Sequence, residues 1–304
     1  MDATTMTTAP PPVRSGSTSG RKSGILLLSP AVVLLLVWSI VPLLLTLWYS
    51  FRNYNLVDPT MHGFAGVSNY WYLLTDPDFL EALRNTALLV VGVLVISVGG
   101  GTLLAVLYDQ EFFGRGIARV LVISPFFVMP TVSALLWKNL MLHPIYGVYA
   151  WMMRSVGLTP IDWLQRFPMA TVMMIVAWEW LPFAVLILLT AVQSLDTEQR
   201  EAALLDGAGP VARFRHIILP HLSRAITVVV MIETIYLLTI FAEIMVTTAG
   251  GPGVASTNLA YMIYARALLQ FDVGGASAGG VIAIVIANIV AMFLVRAVAR
   301  NLEA

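Results

Sequence analysis

The stretch Asp196–Arg224, with the sequence DTEQREAALLDGAGPVARFRHIILPHLSR, carries most of the polar content found outside the N-terminal tail. Within it, Glu198–Leu205 are good helix formers, and the run Gly207-Ala208-Gly209-Pro210 ends that helix because glycine and proline terminate helices. Val211–Ile218 predict a second short helix. The stretch is therefore expected to be a long loop that contains two short helices.

Both predicted helices carry apolar side chains in an otherwise polar loop. These side chains belong to Ala202, Ala203, Val211, Ala212, Phe214, Ile217 and Ile218. Short helices that have one apolar face and no core of their own need a partner surface. The sequence therefore predicts a docking loop, and the alternative is an amphipathic loop that lies on the lipid surface.

The sequence on both sides of this loop is too apolar for a soluble protein. The 304 residues are 59% hydrophobic and 11% charged, whereas about a quarter of the residues in a soluble domain are charged. A helix needs roughly 20 apolar residues to cross the hydrocarbon layer, which is about 30 Å thick. Six windows free of charge, apart from glutamates in the fourth and fifth, are Lys22–Arg52, Arg84–Asp109, Arg119–Lys138, Arg166–Asp196, a window after Arg224, and Asp272–Arg296. The chain is predicted to be an all-α integral membrane protein with about six transmembrane helices.

The distribution of Lys and Arg predicts the orientation, because both are enriched in cytoplasmic loops. With the N-terminus inside, eleven of the 17 Lys and Arg residues lie in inner segments and six in outer segments. This bias predicts that both termini are in the cytoplasm, and it places the loop 196–224 on the cytoplasmic side. The outer loops 53–83 and 139–165 contain Tyr and Trp residues of the kind found at membrane interfaces.

The first residues differ from the rest of the chain. Residues 1–24 are rich in Thr, Ser, Gly and Pro, and this composition predicts a disordered cytoplasmic tail. The apolar region after the tail is longer than that of a signal peptide. We therefore expect a retained first helix and a six-span domain over residues 25–304.

Several classes of function find no support in the sequence. The net charge of zero gives no basis for nucleic-acid binding. The chain has no cysteine, and its four histidines fall in predicted loops, so no metal site is expected in the middle of the spans. No Gly-rich loop ending in Gly-Lys-Ser/Thr occurs, so this chain is not expected to bind ATP itself.

The polar loop resembles a known family motif. Glu201-Ala202-Ala203, Gly207 and Ile217-Ile218-Leu219-Pro220 have the spacing of the EAA loop of ABC importer permeases, which docks into a cytoplasmic ATPase subunit. The residues that this resemblance assigns to ATPase coupling are Glu201, Ala202, Ala203, Asp206, Gly207, Phe214, Leu219 and Pro220. The family's upstream Gln-Ser-Ile-Pro reads Gln193-Ser194-Leu195-Asp196 here, so a candidate N-cap replaces a proline.

Motifs outside the loop resemble the carbohydrate branch of the same family. Gly66–Tyr70, Asp76–Phe79 and Ala82–Thr86 look like the outer loop of maltose-type permeases, and Thr248–Pro252 looks like their Gly-Gly-Pro turn. The stretch Gly250–Gly280 is most similar to sorbitol and mannitol permeases. The resemblance implies the type I ABC importer permease fold and a polyol or sugar as substrate.

Two glutamates lie well inside predicted spans, where a carboxylate costs a few kcal/mol or more. Glu233 is nine residues from the inner flank at Arg224, or about 14 Å along a helix. Glu179 is thirteen residues from the outer flank at Arg166, or about 20 Å. Both are therefore predicted near the midplane, whereas Glu243 is predicted near the outer end. For each of the three, a paired or solvated structural role is the alternative to substrate contact.

Aromatic residues lie at helical spacing from the two midplane acids. Phe183 follows Glu179 by four residues, and Tyr236 follows Glu233 by three. Carboxylates accept hydrogen bonds from hydroxyls and aromatic faces stack on C–H surfaces, which suits a neutral polyhydroxylated substrate. The resemblance to maltose-type permeases implies these substrate-binding residues: Phe127, Thr131, Trp178, Glu179, Trp180, Phe183, Glu233, Leu237 and Ile240. Tyr236 is added to the predicted site because it lies one helical turn from Glu233.

The resemblance implies a permease subunit that forms half of a translocation path in the bacterial cytoplasmic (inner) membrane. The implied partners are a second permease subunit, expected to be a different chain, two copies of a cytoplasmic ATPase that bind ATP and magnesium, and a periplasmic or lipid-tethered binding protein. No cofactor is expected in this chain, and it is not expected to be an enzyme. The alternative is a stand-alone proton-coupled secondary transporter that uses Glu179 and Glu233, which leaves the apolar loop without a role.

Overall fold

The computed structural model describes the backbone of residues 18–58, 60 and 62–303, and the side chains of residues 28–58, 60 and 62–297. The helices are α1 (Thr18–Ser50), α2 (Ser68–Thr75), α3 (Pro77–Asp109), α4 (Arg115–Ile123), α5 (Pro130–Leu135), α6 (Val148–Ser155), α7 (Trp163–Arg166), α8 (Pro168–Gln193), α9 (Thr197–Leu205), α10 (Pro210–Arg213), α11 (Leu219–Leu237), α12 (Ala242–Thr247), α13 (Leu259–Tyr264) and α14 (Val273–Glu303). A 3-10 turn (Ser124–Phe127) follows α4, and π-helical turns extend α5 (Leu136–Met141), α10 (Phe214–Ile218) and α13 (Ala265–Leu269). After α1, β1 (Arg52–Tyr54) and β2 (His62–Phe64) form an antiparallel hairpin in which Arg52 pairs with Phe64.

In the described part of the chain, five helices are long and apolar enough to cross a membrane. These are α1, α3, α8, the helix Pro210–Leu237 that includes α11, and α14, and each overlaps a window that the sequence marks as a span. A sixth span is formed if Arg115–Phe127 and Pro130–Met141, which meet at 101°, are counted together. The prediction of about six transmembrane helices is therefore confirmed.

The third span is bent rather than straight, and proline explains the bend. Pro130 begins α5, and Met129 before it has an extended backbone with ψ 137°. A proline disfavours the helical conformation in the residue that precedes it, so the helix cannot run through Met129. The charge-free window Arg119–Lys138 predicts that the chain crosses the membrane here, but it does not predict the angle between the two halves of the span.

The chain divides into two units, Met1–Trp48 and Tyr49–Ala304. In the first unit, α1 begins at Thr18, so residues 18–24 are helical although the sequence analysis assigns them to the disordered tail. The remainder of that predicted tail, residues 1–17, lies outside the described residues. The apolar side chains of α1 between Leu28 and Trp48 are mostly exposed, as the composition of a membrane-spanning helix leads us to expect.

The core of the second unit lies between α3, α8, α11 and α12. Its buried residues include Leu89 and Val93 on α3, Val172 and Val176 on α8, and Leu237 at the end of α11. These helices also approach closely because α3 carries small residues on the face toward α8. The second unit is thus built around the α3–α8 pair.

Gly101 lies where α3 and α8 approach closely, and it provides a test of this packing. A Cβ atom at Gly101 lies 2.8 Å from the Cβ of Ala184, whereas one at Gly99 meets nothing within 4 Å. Because overpacking costs about 1–3 kcal/mol, we expect Gly101→Val to lower the thermal unfolding temperature of the detergent-solubilised protein. Gly99→Val is the matched control, and equal losses for the two variants contradict the close approach.

The outer motifs that resemble maltose-type permeases contact each other. Asn85 on α3 donates to the carbonyl oxygens of Val254 and Thr257 at 3.0 Å each, and Thr86 accepts from the backbone N–H of Leu259 at 2.9 Å. Gly250 has φ +81°, a backbone conformation that favours glycine. These residues therefore hold the loop before α13 against α3.

The loop 196–224 contains the first predicted helix but not the second as a separate element. The predicted helix Glu198–Leu205 is α9. The second predicted helix, Val211–Ile218, is continuous with the fifth span, because Pro210–Leu237 form one helix. The π-helical turn Phe214–Ile218 lies directly before Pro220, and this wide turn accommodates a proline that a regular helix interior does not tolerate.

Candidate functional site

Aromatic side chains from three elements meet beside the middle of α8. Phe126, in the 3-10 turn after α4, stacks on Phe183 with ring centroids 5.9 Å apart and meets the edge of Trp180 at 6.0 Å. Trp180 also lies 5.0 Å from Tyr236 on α11. Tyr236 is 55% exposed, and Phe127, 5.9 Å from Phe126, is 77% exposed. These five residues, the aromatic cluster, therefore keep part of their aromatic surface uncovered.

Trp178 and Thr131, also predicted for the substrate site, lie outside the aromatic cluster. Residues two apart on a helix are about 200° apart around its axis, so Trp178 and Trp180 face different ways. Trp178 meets the edge of Trp137 at 5.6 Å, and Trp137 stacks on Tyr149 at 6.3 Å. Thr131 is exposed at the start of α5. The structure thus separates the two tryptophans into two aromatic sites.

Glu179 belongs to a buried polar group that three elements form. Its carboxyl lies against the hydroxyl of Ser133 on α5 and the carboxyl of Glu243 on α12. All three side chains are buried. Glu179 Oε1 and Ser133 Oγ have no hydrogen-bond partner among the described residues. A buried polar atom without a partner costs about 1–3 kcal/mol, so this group is a costly feature that packing alone does not explain.

The contact between Glu243 and Glu179 contradicts the sequence-based expectation that the two lie at different depths, with Glu243 near the outer end of the fifth span. α11 ends at Leu237, the next four residues are irregular, and α12 begins only at Ala242. Because the fifth span is not one continuous helix, counting 1.5 Å per residue from Arg224 overestimates the depth of Glu243. Its carboxyl instead lies beside that of Glu179.

Glu233 is completely buried and has a different neighbour. The hydroxyl of Ser97 on α3 donates a hydrogen bond of 2.5 Å to Glu233 Oε2, and Glu233 Oε1 has no partner in the described structure. Leu237 and Ile240, predicted to contact substrate, are packed in the core with the residues of α3 and α8. In this conformation these three residues face the interior of the chain rather than an open path.

The two buried acids thus lie in separate polar environments, and the aromatic cluster is the exposed part of the predicted site. Within the described residues, no group of three or more His, Cys, Asp or Glu side chains is arranged to hold a metal ion. The arrangement offers stacking surfaces and hydrogen-bond acceptors. It is therefore suited to binding a neutral solute by shape and hydrogen bonding.

The residues predicted for coupling lie on α9 and along the start of the Pro210–Leu237 helix. The exposed ones are Glu201, Ala202, Asp206, Gly207, Leu219 and Pro220, whereas Phe214 is half-buried and Ala203 is buried. Three further apolar side chains are exposed beside them: Leu204 at 54%, Leu205 at 89% and Val211 at 79%. This set, the coupling-loop surface, has the exposed apolar residues that a docking site needs.

Arg200 holds α9 against the spans, a role that the sequence analysis did not assign. Its guanidinium donates to Asp109 Oδ2 at 2.5 Å and to the carbonyl oxygen of Val192 near the end of α8. His221 links the start of α11 to the end of α8, because its Nε2 lies 3.0 Å from the carbonyl oxygen of Ala191. Asp109 ends a charge-free window whereas Arg200 lies within the polar loop, so no signal in the sequence relates the two residues. The coupling-loop surface is therefore fixed to the ends of α3 and α8.

Comparisons with known proteins agree with this geometry. Residues 23–304 match the family model described as "Binding-protein-dependent transport system inner membrane component". The chain is 34% identical over 251 residues to a probable ABC transporter permease protein, y4oQ, of Sinorhizobium fredii, with 82% of this chain and 81% of that protein covered. It is 32% identical over 249 residues to the trehalose/maltose transport system permease protein MalF of Thermococcus litoralis, with 80% and 82% covered.

A solved structure has the same fold. It is a crystal structure of a bacterial alginate ABC transporter in complex with an alginate pentasaccharide-bound periplasmic protein. One of its chains is similar to this chain with a TM-score of 0.76 and 22% identity, over 91% of this chain and 93% of that chain. The expected type I ABC importer permease fold is thereby confirmed.

The spans, the helical loop between α8 and α11 and the shared fold define a multi-pass membrane permease. More specifically, the chain belongs to the family of inner membrane components of binding-protein-dependent transport systems. A member of this family is a membrane component of a transport system and not an enzyme, which confirms that prediction.

Proposed function

We propose that this chain is the permease subunit of an ATP-driven importer for a polyol or sugar, and that the aromatic cluster contacts the substrate. The observation that carries the proposal is the set of stacked rings Phe126, Trp180 and Phe183, with Tyr236 and Phe127 exposed beside them. Aromatic rings offer a large, rigid apolar surface, and the hydroxyl of Tyr236 adds a polar end. Such a surface suits the C–H faces of a sugar or polyol.

The names of the similar proteins support the substrate class. One relative is a trehalose/maltose permease, and the solved structure is an alginate transporter. The narrower assignment to a polyol rests on the resemblance of Gly250–Gly280 to sorbitol and mannitol permeases.

The proposed assembly has five chains. Because the aromatic cluster is open on one side, a second permease, expected to be a different chain, closes the path. Two copies of a cytoplasmic ATPase, which bind ATP and magnesium, dock on this chain and its partner. On this chain the docking site is the coupling-loop surface, so both termini are in the cytoplasm. A periplasmic or lipid-tethered binding protein delivers the substrate on the other side.

The alternative of a stand-alone proton-coupled transporter is not favoured. It leaves the exposed apolar residues of α9 without a role, and the family to which the chain belongs works with a binding protein. Its two proposed proton carriers also have different neighbours, since Glu233 bonds Ser97 and Glu179 lies against Ser133.

The experiment compares two tryptophans in proteoliposomes that contain the complete complex and internal ATP. We expect Trp180→Ala to lower uptake of labelled polyols or sugars by about tenfold or more, equivalent to about 1.4 kcal/mol. Trp178→Ala is the matched control because Trp178 packs on Trp137 instead. Equal losses contradict the assignment of the aromatic cluster. Uptake that collapses when an uncoupler is added at constant ATP contradicts the ATP-driven function.

A further inference from the structure

An amphipathic pocket of about 200 Å³ lies where the ends of α3 and α8 meet the loop 196–224. Its polar wall contains Asp109, Arg200 and Arg213, and its apolar walls come from α3, α8 and the π-helical turn Phe214–Ile218. Because α3 ends at Asp109 and α8 ends at Gln193, the pocket lies at the ends of two helices that are long enough to span a membrane. It is separate from the aromatic cluster and from the buried polar group.

The charges in this pocket do not balance within the described residues. Asp109 and Arg200 neutralise each other in an ion pair of 2.5 Å. Arg213, by contrast, makes no ion pair in the described part of the chain. Its Nε atom is buried and has no hydrogen-bond acceptor there. A buried donor on a charged group is costly to leave unpaired, so the pocket has one surplus positive charge and at least one donor without a partner.

The chemistry of the pocket identifies the class of ligand. A guanidinium matches the oxygen atoms of a phosphate in both charge and geometry. The volume is below the range of about 300–1,000 Å³ that is typical of sites for drug-sized ligands. The pocket is therefore too small for a drug-sized ligand, but its volume of about 200 Å³ suits a phosphate with a small attached group. Its apolar walls suit the glycerol or the first acyl carbons of a lipid.

We propose that the amphipathic pocket binds a phosphate group through Arg213. The phosphate belongs to the headgroup of an anionic phospholipid or to a soluble phosphate compound, and the chemistry in the pocket is the same for both. Arg200 on α9 and Arg213 on α10 lie on either side of the turn at Gly207. A phosphate bound to Arg213 therefore lies beside the Asp109–Arg200 ion pair that joins α9 to the end of α3. This phosphate site rests on the proposed function in one respect only, namely that the chain is tested within the complete transporter complex.

Two binding measurements on the complete purified complex test the proposal and distinguish the sources. In the first, the complex is incorporated into nanodiscs of phosphatidylcholine with or without phosphatidylglycerol, and the retained phosphatidylglycerol is counted by native mass spectrometry. In the second, binding of radiolabelled inorganic phosphate is measured in nanodiscs of phosphatidylcholine alone. We expect R213Q to lower the affinity about tenfold, which is about 1.4 kcal/mol, and R213K to lower it less.

The matched control is R215Q. Arg215 is exposed and near Arg213 in sequence, and it does not line the pocket, so R215Q is expected to bind as the wild type does. Binding of phosphatidylglycerol alone identifies a lipid, and binding of phosphate alone identifies a soluble ligand. The proposal is overturned if R213Q binds as the wild type does, or if neither ligand binds because a partner subunit occupies the pocket. Both measurements report binding and not uptake. A failure of the proposed transport function therefore does not affect them, and it is detected by the uptake experiment alone.

Discussion

Replacing Gly207 by proline is expected to abolish substrate uptake and substrate-stimulated ATP hydrolysis, while the chain still inserts into the membrane. Gly207 has φ +75° in the turn that ends α9, and proline is fixed at about −65°. Proline also removes the N–H that Gly207 donates to the carbonyl oxygen of Leu204 at 3.1 Å. Because this turn sets the position of α9 relative to α10, the coupling-loop surface loses its shape. The readouts are uptake and ATPase activity of the reconstituted complex.

Two further glycine variants separate backbone strain from loss of space. A Cβ atom at Gly207 or at Gly209 meets nothing within 4 Å, so steric contact is not a factor at either position. Gly209 has φ −66°, which any residue adopts, and Gly209→Ala is expected to be neutral. Gly207→Ala is expected to be intermediate, since the left-handed conformation costs about 1–2 kcal/mol. Normal uptake by Gly207→Pro contradicts a coupling role for this turn.

Glu201→Ala tests the same surface without a change in backbone. The side chain of Glu201 is exposed and makes no hydrogen bond or ion pair in the described structure, so truncating it to alanine breaks no such bond within the chain. If the carboxylate acts on a partner as proposed, its removal causes loss of transport and of stimulated ATP hydrolysis. Retention of full substrate-stimulated ATPase activity excludes that role.

The spans were predictable because each crossing needs a long stretch without charge, and the sequence shows this directly. The breaks within spans were not. Pro130 is visible in the sequence and accounts for a break before α5, but it does not predict the 101° angle between the two helices. The irregular segment after Leu237 contains neither Gly nor Pro. Its position is set by tertiary contacts, such as the 2.6 Å bond from Asn258 to the carbonyl oxygen of Ile240.

The types of residue in the candidate site were predictable from the sequence, but which of these residues contact one another was less so. Helical spacing relates Phe183 to Glu179 in the sequence, but in the structure the Phe183 ring lies 6.0 Å from that of Trp180. The carboxyl of Glu179 lies against Ser133 and Glu243 instead. Partners on other helices depend on how those helices pack, so the sequence did not indicate Phe126, Ser97 or Ser133. Phe126 and Phe127 are adjacent, and only the 3-10 turn determines which ring stacks on α8. Whether the predicted residues contact substrate stays a prediction.

Glu233→Leu is expected to remove most transport activity, whereas Glu233→Gln keeps part of it. Leucine removes the hydrogen bond between α3 and α11 and leaves the Ser97 hydroxyl only the carbonyl oxygen of Leu94, at 3.5 Å. Loss of one such hydrogen bond costs about 0.5–1.5 kcal/mol. The amide oxygen of glutamine still accepts that hydrogen bond. The measurements are uptake and thermal unfolding of the complex, and Ser97→Ala is the matched variant because it removes the same bond from the other side.

The combination of variants separates the two roles of Glu233. If the carboxylate only joins α3 to α11, Ser97→Ala and Glu233→Gln lower stability without changing the preference among polyols and sugars. We expect a further effect, because Glu233 Oε1 has no partner among the described residues and is free to accept a hydrogen bond from a substrate hydroxyl when the helices move apart. An amide both accepts and donates, so Glu233→Gln is expected to change the ratio of uptake rates among labelled substrates, and Ser97→Ala is not. Unchanged ratios in Glu233→Gln contradict substrate contact, and complete loss of uptake of every substrate in that variant favours a proton carrier instead.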